Sequence, residues 1–206
     1  MVGRGAGARS RPRGRLFGVS TAHVPLVYRL TYADWAASPD DGLRREIIGG
    51  ELFVTPPPAI KHQRISREIE FRLLTYLRER ERGEVLNAPV GLRLSDEDVV
   101  EPDLVVVLTE SRATIGEQAI FGAADLVVEI LSPGTAKRDL VVKRALYESA
   151  GVREYWVVDP EGKTVEVLRL DGAAYLRHGL FEREHTLTSS VLAGLELALS
   201  EVFSKV

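Results

Sequence analysis

The chain has 206 residues, 45% of them hydrophobic and 28% charged, with no cysteine and a net charge of −3. This size and composition suit a globular protein with a sizeable core, and the missing cysteine excludes disulfides, thiolate catalysis and zinc–thiolate sites. The apolar runs stop well short of the ~20 residues that cross a bilayer, and the N-terminus lacks the apolar core of a secretory signal, so no membrane partner and a cytoplasmic location are expected.

Residues 1–23, rich in Gly, Arg, Ser and Ala, show no periodicity and are expected to form a disordered basic tail. The first 27 residues hold five arginines and no acid, which leaves −8 on the rest. Such a tail is either an arm that grips phosphates or a dispensable extension. The acidic remainder does not look like a protein that coats DNA. Residues 24–206 are expected to fold as one domain.

Thr31 with Asp34 three positions on reads as a capping box opening a short helix, Tyr32–Ala37. Arg45–Ile48 and Glu51–Val54 flank Gly49-Gly50, the signal of a two-residue hairpin. Pro56-Pro57-Pro58 ends the second strand. Ile65, Ile69, Leu73, Leu74 and Leu77 recur at helical spacing and predict a helix over Ile60–Arg82. Val85–Leu94 reads as a strand, and Asp96-Glu97-Asp98 as a turn.

Two apolar runs follow, Val99–Leu108 and Ala124–Leu131, separated by a loop with Gly116. Runs so rich in Val, Leu and Ile suit strands buried on both faces. After Ser132-Pro133-Gly134 a helix is expected from Ala136 to Ala150, stopped by Gly151. Glu154–Val158 and Thr164–Leu170 predict a further hairpin, Ala174–Arg177 and Glu184–Leu187 weaker strands, and Leu195–Phe203 a terminal helix. The order predicts an α/β fold: a mixed central β-sheet flanked by helices, with an added β-hairpin region. The segment from Glu129's strand through a helix to Tyr155's strand reads as a crossover between parallel strands.

Each apolar run carries a carboxylate, Asp103 or Glu129, and a carboxylate inside such a run is costly unless a partner compensates it. Pro102 has no N–H for a ladder, so Asp103 falls at a strand entrance or an irregular edge. Alternation puts Glu129 and Leu131 on one face of their strand, Val128 and Ile130 on the other. Two acids on successive strands can meet, and hard oxygen ligands of this kind suit Mg²⁺ or Mn²⁺. Pairing of each acid with a nearby arginine is the plainer alternative.

The segments Arg45–Leu52, Pro57 and His62, Glu101–Leu104, Leu126–Pro133, then Asp139, Lys143 and Tyr147, and finally Gly151–Pro160 carry a resemblance. They resemble the PD-(D/E)XK nuclease superfamily and, within it, the Uma-two family of restriction-endonuclease-like proteins. The resemblance covers roughly residues 28–200. It implies a metal-dependent nuclease core in residues 24–206, with Asp103 and Glu129 as metal ligands and Mg²⁺ or Mn²⁺ as cofactor. DNA is the expected substrate and a homodimer the expected working form. The superfamily places a lysine two residues after the second acid; here that position is Leu131. The resemblance implies a lysine on the following helix as the substitute, Lys143 first and Lys137 second.

Asp139, Lys143 and Tyr147 share a helix face at spacings of four, and an exposed Asp139–Lys143 ion pair is the competing reading. Glu46 and Glu51 flank the hairpin; Glu46 alternates with Ile48 and could point at the sheet's active edge, and a solvated hairpin acid is the competing reading. His62 could orient a phosphate or carry a proton, although a surface histidine near a helix start is the simpler expectation. His23, His178 and His185 have no metal spacing. Tyr155 and Trp156 invite base stacking but belong first to a core. Arg78, Arg80 and Arg82 alternate with Glu79 and Glu81 as a solvated helix face. No Gly-rich phosphate loop, HExxH or serine elbow is present.

These readings lead to a metal-dependent endonuclease that hydrolyses DNA phosphodiesters, with Asp103, Glu129, Lys143 and Glu46 as catalytic residues. The alternative is a catalytically inactive nucleic-acid-binding or assembly module on the same fold, motivated by Leu131 and the acidic body. A third is an interaction protein that dimerises through strands in residues 164–187.

Overall fold

The computed structural model describes residues 1–3, 28–39, 41–134 and 136–206. Nearly all of the expected basic tail, the expected start of the fold at Val24, and His23 lie outside the described residues.

Helix α1 (Tyr32–Ala36) opens on the expected capping box, with Asp34 Oδ2 accepting from the Thr31 N–H at 2.8 Å and from its hydroxyl at 2.9 Å. Strands β1 (Arg44–Ile48) and β2 (Glu51–Thr55) pair antiparallel, with Ile48 opposite Glu51. Gly49 and Gly50 turn the chain at φ 58° and 77°, the left-handed conformations that a two-residue turn demands. Helix α2 (Ile60–Arg80) follows and buries His62, Ile65, Ile69, Leu73, Tyr76 and Leu77 along one face.

The expected strand Val85–Leu94 is split. β3 (Gly83–Asn87) and β4 (Gly91–Arg93) belong to different sheets, and Pro89, which lacks a ladder N–H, stands at the break. The first acid-bearing run is split in the same way. β5 (Val99–Val100) pairs with β1 and β4, whereas β6 (Leu104–Leu108) pairs with β3, so the chain passes from one sheet to the other at Glu101-Pro102-Asp103.

The loop around Gly116 holds a short hairpin, β7 (Thr114–Ile115) and β8 (Ala119–Phe121), that hydropathy alone did not predict. β9 (Leu126–Ile130) is buried throughout. The helix expected from Ala136 to Ala150 begins as a π-helical segment, Arg138–Lys143, and continues as α3 (Arg144–Ala150). β10 (Glu154–Asp159) lies parallel to β9, as the crossover reading required, and forms the expected hairpin with β11 (Thr164–Asp171).

β12 (Ala174–Glu182) is longer than expected, and β13 (Thr186–Thr188) stands where Glu184–Leu187 was expected. The expected terminal helix is corrected. Glu196–Ala198 is a strand, β14, paired with β13, and only Leu199–Val202 is helical, as α4. Leu195, Leu197 and Leu199 alternate and are all buried, a period of two that overrides the helical reading.

The described residues thus form two six-stranded sheets and a two-stranded one: β2-β1-β5-β4-β8-β7, β12-β11-β10-β9-β6-β3, and β13-β14. The expected α/β fold with a mixed sheet flanked by helices is present, and β1, β4 and β5 belong to a second mixed sheet beside it. The larger core lies between α2 with the C-terminal segment and one face of the β9-containing sheet: Ile65, Ile69 and Leu73 meet Leu104, Val106, Val128 and Ile130. On the opposite face Val105, Val107, Val127 and Tyr155 pack with Tyr147 of α3 and with Leu92, Val100 and Ile120 of the other sheet. Alternation along β9 therefore points Glu129 away from α2 and toward the second core. Tyr155 and Trp156 are both fully buried, so neither is available for base stacking.

Candidate active site

Three structural accidents of the fold bring the acids together. The pairing Leu104↔Val128, continued by one step, sets Asp103 opposite Glu129. β1 belongs to the other sheet and carries Glu46 inward at 2% exposure. The π-helical turn directs both Asp139 and Lys143 inward, each 2% exposed. A π turn is wider than an α turn, and such segments are frequent at functional sites.

Lys143 is the hub. Its ammonium lies 2.6 Å from Glu46 Oε1, 2.8 Å from Glu129 Oε1 and 3.5 Å from Asp139 Oδ1. The Tyr147 hydroxyl donates to the same Glu129 oxygen at 2.7 Å. The Asp139–Lys143 pair is thus not an exposed i,i+4 bridge. Lys137 is exposed and takes no part. Leu131 packs its side chain on the second core, so the position two residues after Glu129 is apolar in fact as well as in sequence.

Asp103 is held from three sides. Arg44 donates to Oδ1 at 2.8 Å; the Ile130 N–H donates to Oδ2 at 2.7 Å; His62 Nε2 lies 3.1 Å from Oδ2. His62 is 9% exposed, which overturns the surface expectation. Arg44 also donates to the Glu101 carbonyl. Arg138 reaches Glu46 Oε2 at 3.5 Å and donates to Thr55 Oγ1 at 2.9 Å. Glu51 is exposed on the far side of the hairpin, and the His185 imidazole accepts the Glu182 N–H.

The electrostatics divide the two strand acids. Burial alone would raise Asp103, but the His62 hydrogen bond, the Arg44 charge and the Ile130 N–H outweigh it and hold the carboxyl down, to about 2. For Glu129 burial is the largest effect. With the neighbouring charges of Asp139, Asp103 and Glu46 it outweighs Lys143 and pushes the carboxyl up, to about 8. Lys143 also feels its burial first, yet Glu129, Glu46 and Asp139 more than compensate and keep it protonated. Burial pushes the Glu101 carboxyl up as well, against the nearby Arg44.

These residues line a cavity of about 240 Å³ in which Arg44, Glu46, His62, Asp103, Glu129, Arg138, Asp139 and Lys143 converge. The donor set fits a hard divalent cation: four carboxylates, Glu46, Asp103, Glu129 and Asp139, line one small space. Among the described residues no three His, Cys, Asp or Glu side chains already stand around one point as a finished cage. Lys143 and Arg44 occupy the positions of compensating charge instead.

Arg44, Arg138 and the buried Glu101 were not singled out from sequence. For Arg44 a signal existed, since it lies two residues before Glu46 and shares its face of β1. No comparable signal marks Arg138, whose approach depends on the π turn.

No helix among the described residues is long and apolar enough to cross a membrane. A search of curated proteins finds no match to the chain. A crystal structure of a protein from Anabaena variabilis ATCC 29413, described as "a putative nuclease belonging to DUF820", shares the fold. It superposes with a TM-score of 0.71 at 22% identity, over 85% of this chain and 98% of that one. The family model Uma2, described as "Putative restriction endonuclease", matches residues 30–200, and the chain therefore belongs to that family.

Proposed function

We propose that the protein is a Mg²⁺- or Mn²⁺-dependent endonuclease that hydrolyses DNA phosphodiester bonds at the Asp103–Glu129–Lys143 cluster. The observation that carries this reading is the buried Lys143 ammonium, set 2.8 Å from Glu129 beside a cavity that Asp103 also lines. Membership of a restriction-endonuclease family supports it.

In this reading Asp103 and Glu129 hold the metal, with Glu46 assisting. A divalent cation there would polarise a phosphoryl oxygen and lower the pKa of a water. Lys143 keeps its proton and places a fixed positive charge where negative charge grows on the phosphoryl group. Glu46, Glu129 and Asp139 hold that ammonium in position, so the charge needs no reorganisation during the reaction. Arg44 and His62 orient the Asp103 carboxylate. Lys143 thereby supplies the charge that Leu131 lacks, which weakens the motive for an inactive binding module.

The proposal includes a homodimer, supported by the half-exposed Leu176 and Leu180 on the edge strand β12, and a cytoplasmic location with the DNA. The deciding experiment incubates the full chain with supercoiled plasmid and linear DNA, with Mn²⁺, Mg²⁺ or EDTA. Nicking or cutting with metal only, absent from folded Asp103→Ala protein, is expected. A folded wild-type protein that cuts no DNA form with Mn²⁺ would sink the reading. Light scattering tests the dimer.

A further inference from the structure

A second cavity, of about 870 Å³, opens on the other side of Asp103, and Arg44, His62 and Asp103 line both spaces. The larger cavity is not needed to hold a metal or a phosphoryl group, and its walls have a chemistry of their own. Two buried polar atoms on its lining residues make no hydrogen bond among the described residues: Glu101 Oε2 and His62 Nδ1. Glu101 is 6% exposed and His62 9%. Buried polar atoms left in this way are costly unless something they recognise enters.

Glu101 is fixed for such a role. Its Oε1 accepts from the Trp35 indole N–H at 3.3 Å, its backbone N–H donates to Glu46 Oε1 at 3.0 Å, and Arg44 Nε stands 4.0 Å from Oε2. Trp35 is held in turn: its indole N–H also donates to the Arg45 carbonyl at 2.8 Å, and its ring lies so close to Gly91 that a Cβ there would fall 2.4 Å from it. The cavity thus offers a rigid aromatic wall, a fixed carboxylate oxygen and an imidazole nitrogen. At its rim Arg67 of α2 is exposed and makes no ion pair among the described residues.

We infer that this cavity receives one unstacked nucleotide of the DNA next to the bond being cut, with Glu101 Oε2 accepting from the base and Trp35 packing against it. The inference rests on the DNA reading above and adds to it a subsite and a substrate form. A carboxylate accepts from an exocyclic base amine such as that of cytosine. An aromatic wall suits the face of any base, and Arg67 suits the flanking phosphate. Extrusion of a base costs least where it is already unpaired, so single-nucleotide bulges and frayed ends are the preferred forms.

The test is binding in EDTA, which separates this inference from cleavage. Fluorescence anisotropy compares a fluorescein-labelled duplex carrying one unpaired cytosine with its fully paired counterpart. The wild-type full chain should prefer the bulged duplex by about tenfold, the scale of one base–aromatic stack. Glu101→Ala should reduce that preference. Ser66→Trp, on the half-buried side of α2 among the residues that line the cavity, should abolish it. Equal affinity for both duplexes overturns the inference, as does a preference that survives in folded Ser66→Trp protein. A protein that shows the preference yet never cuts supports the subsite while counting against the proposed hydrolysis.

Discussion

Lys143 Nζ lies 2.8 Å from Glu129 Oε1, joining a π-helical turn to the middle of a fully buried strand. The pair works as a unit with Glu46 and Asp139, because one buried ammonium serves three buried carboxylates. Most of what can be tested about the site follows from that sharing.

Removing the ammonium should unbalance the cluster. Lys143→Met leaves Glu46, Glu129 and Asp139 without their common cation, and loss of one partner from a buried ion pair costs about 3–5 kcal/mol. Urea denaturation should show that loss. Under conditions where the variant stays folded, plasmid cleavage with Mn²⁺ should fall at least about 100-fold, the scale of one lost charge-stabilising donor.

A lysine two residues after Glu129 should partly restore the function. Leu131 shares the face of Glu129, and its backbone is fixed by its N–H to the Val158 carbonyl at 2.9 Å. Leu131→Lys in the Lys143→Met background should return measurable cleavage in the plasmid assay. No recovery in a folded double variant would mean that the ammonium must come from the helix.

Glu129 predicts a pH-dependent stability. Its carboxyl is raised from 4.5 to about 8, so between those values the folded state holds a proton that the unfolded state has lost. The stabilisation is complete below about pH 4.5 and disappears as pH rises through about 8. In EDTA the urea midpoint should therefore fall between pH 5 and pH 8, and Glu129→Gln should flatten that fall. Saturating Mn²⁺ should flatten it too, by favouring the ionised carboxylate. Asp103, held down to about 2, contributes in the opposite sense and only at the acid end.

Glu154 should be structural alone. It is fully buried and accepts from the Trp156 indole N–H at 2.7 Å, from Ser189 Oγ at 2.6 Å and from the Ser190 N–H at 2.7 Å. These bonds tie β10 to the loop before β14. Glu154→Ala should cost about 3 kcal/mol and lower the melting temperature by roughly 10 °C. Cleavage per folded molecule should stay within about twofold of wild type.

The local signals were strong where the chemistry is local. The Thr31–Asp34 cap, the Gly49-Gly50 turn and the apolar face of α2 depend on neighbours within a few residues, and the structure shows each as read. The Val85–Leu94 and Leu195–Phe203 readings failed for one reason: sheet membership is a long-range choice. A residue run does not reveal that Pro89 and Pro102 mark places where the chain leaves one sheet for another.

The sequence by itself determined the unusual acids, the apolar strands that carry them and the family to which the chain belongs. Only the tertiary structure decided which charges neutralise which. Arg44, Glu46, Asp103, Glu129 and Lys143 come from two strands, a strand crossing and a helical turn, and their spacing along the chain fixes none of their distances. The cause is physical. Burying an ion is unfavourable unless a partner arrives with it, and that partner arrives only when two sheets and a helix close on one cavity.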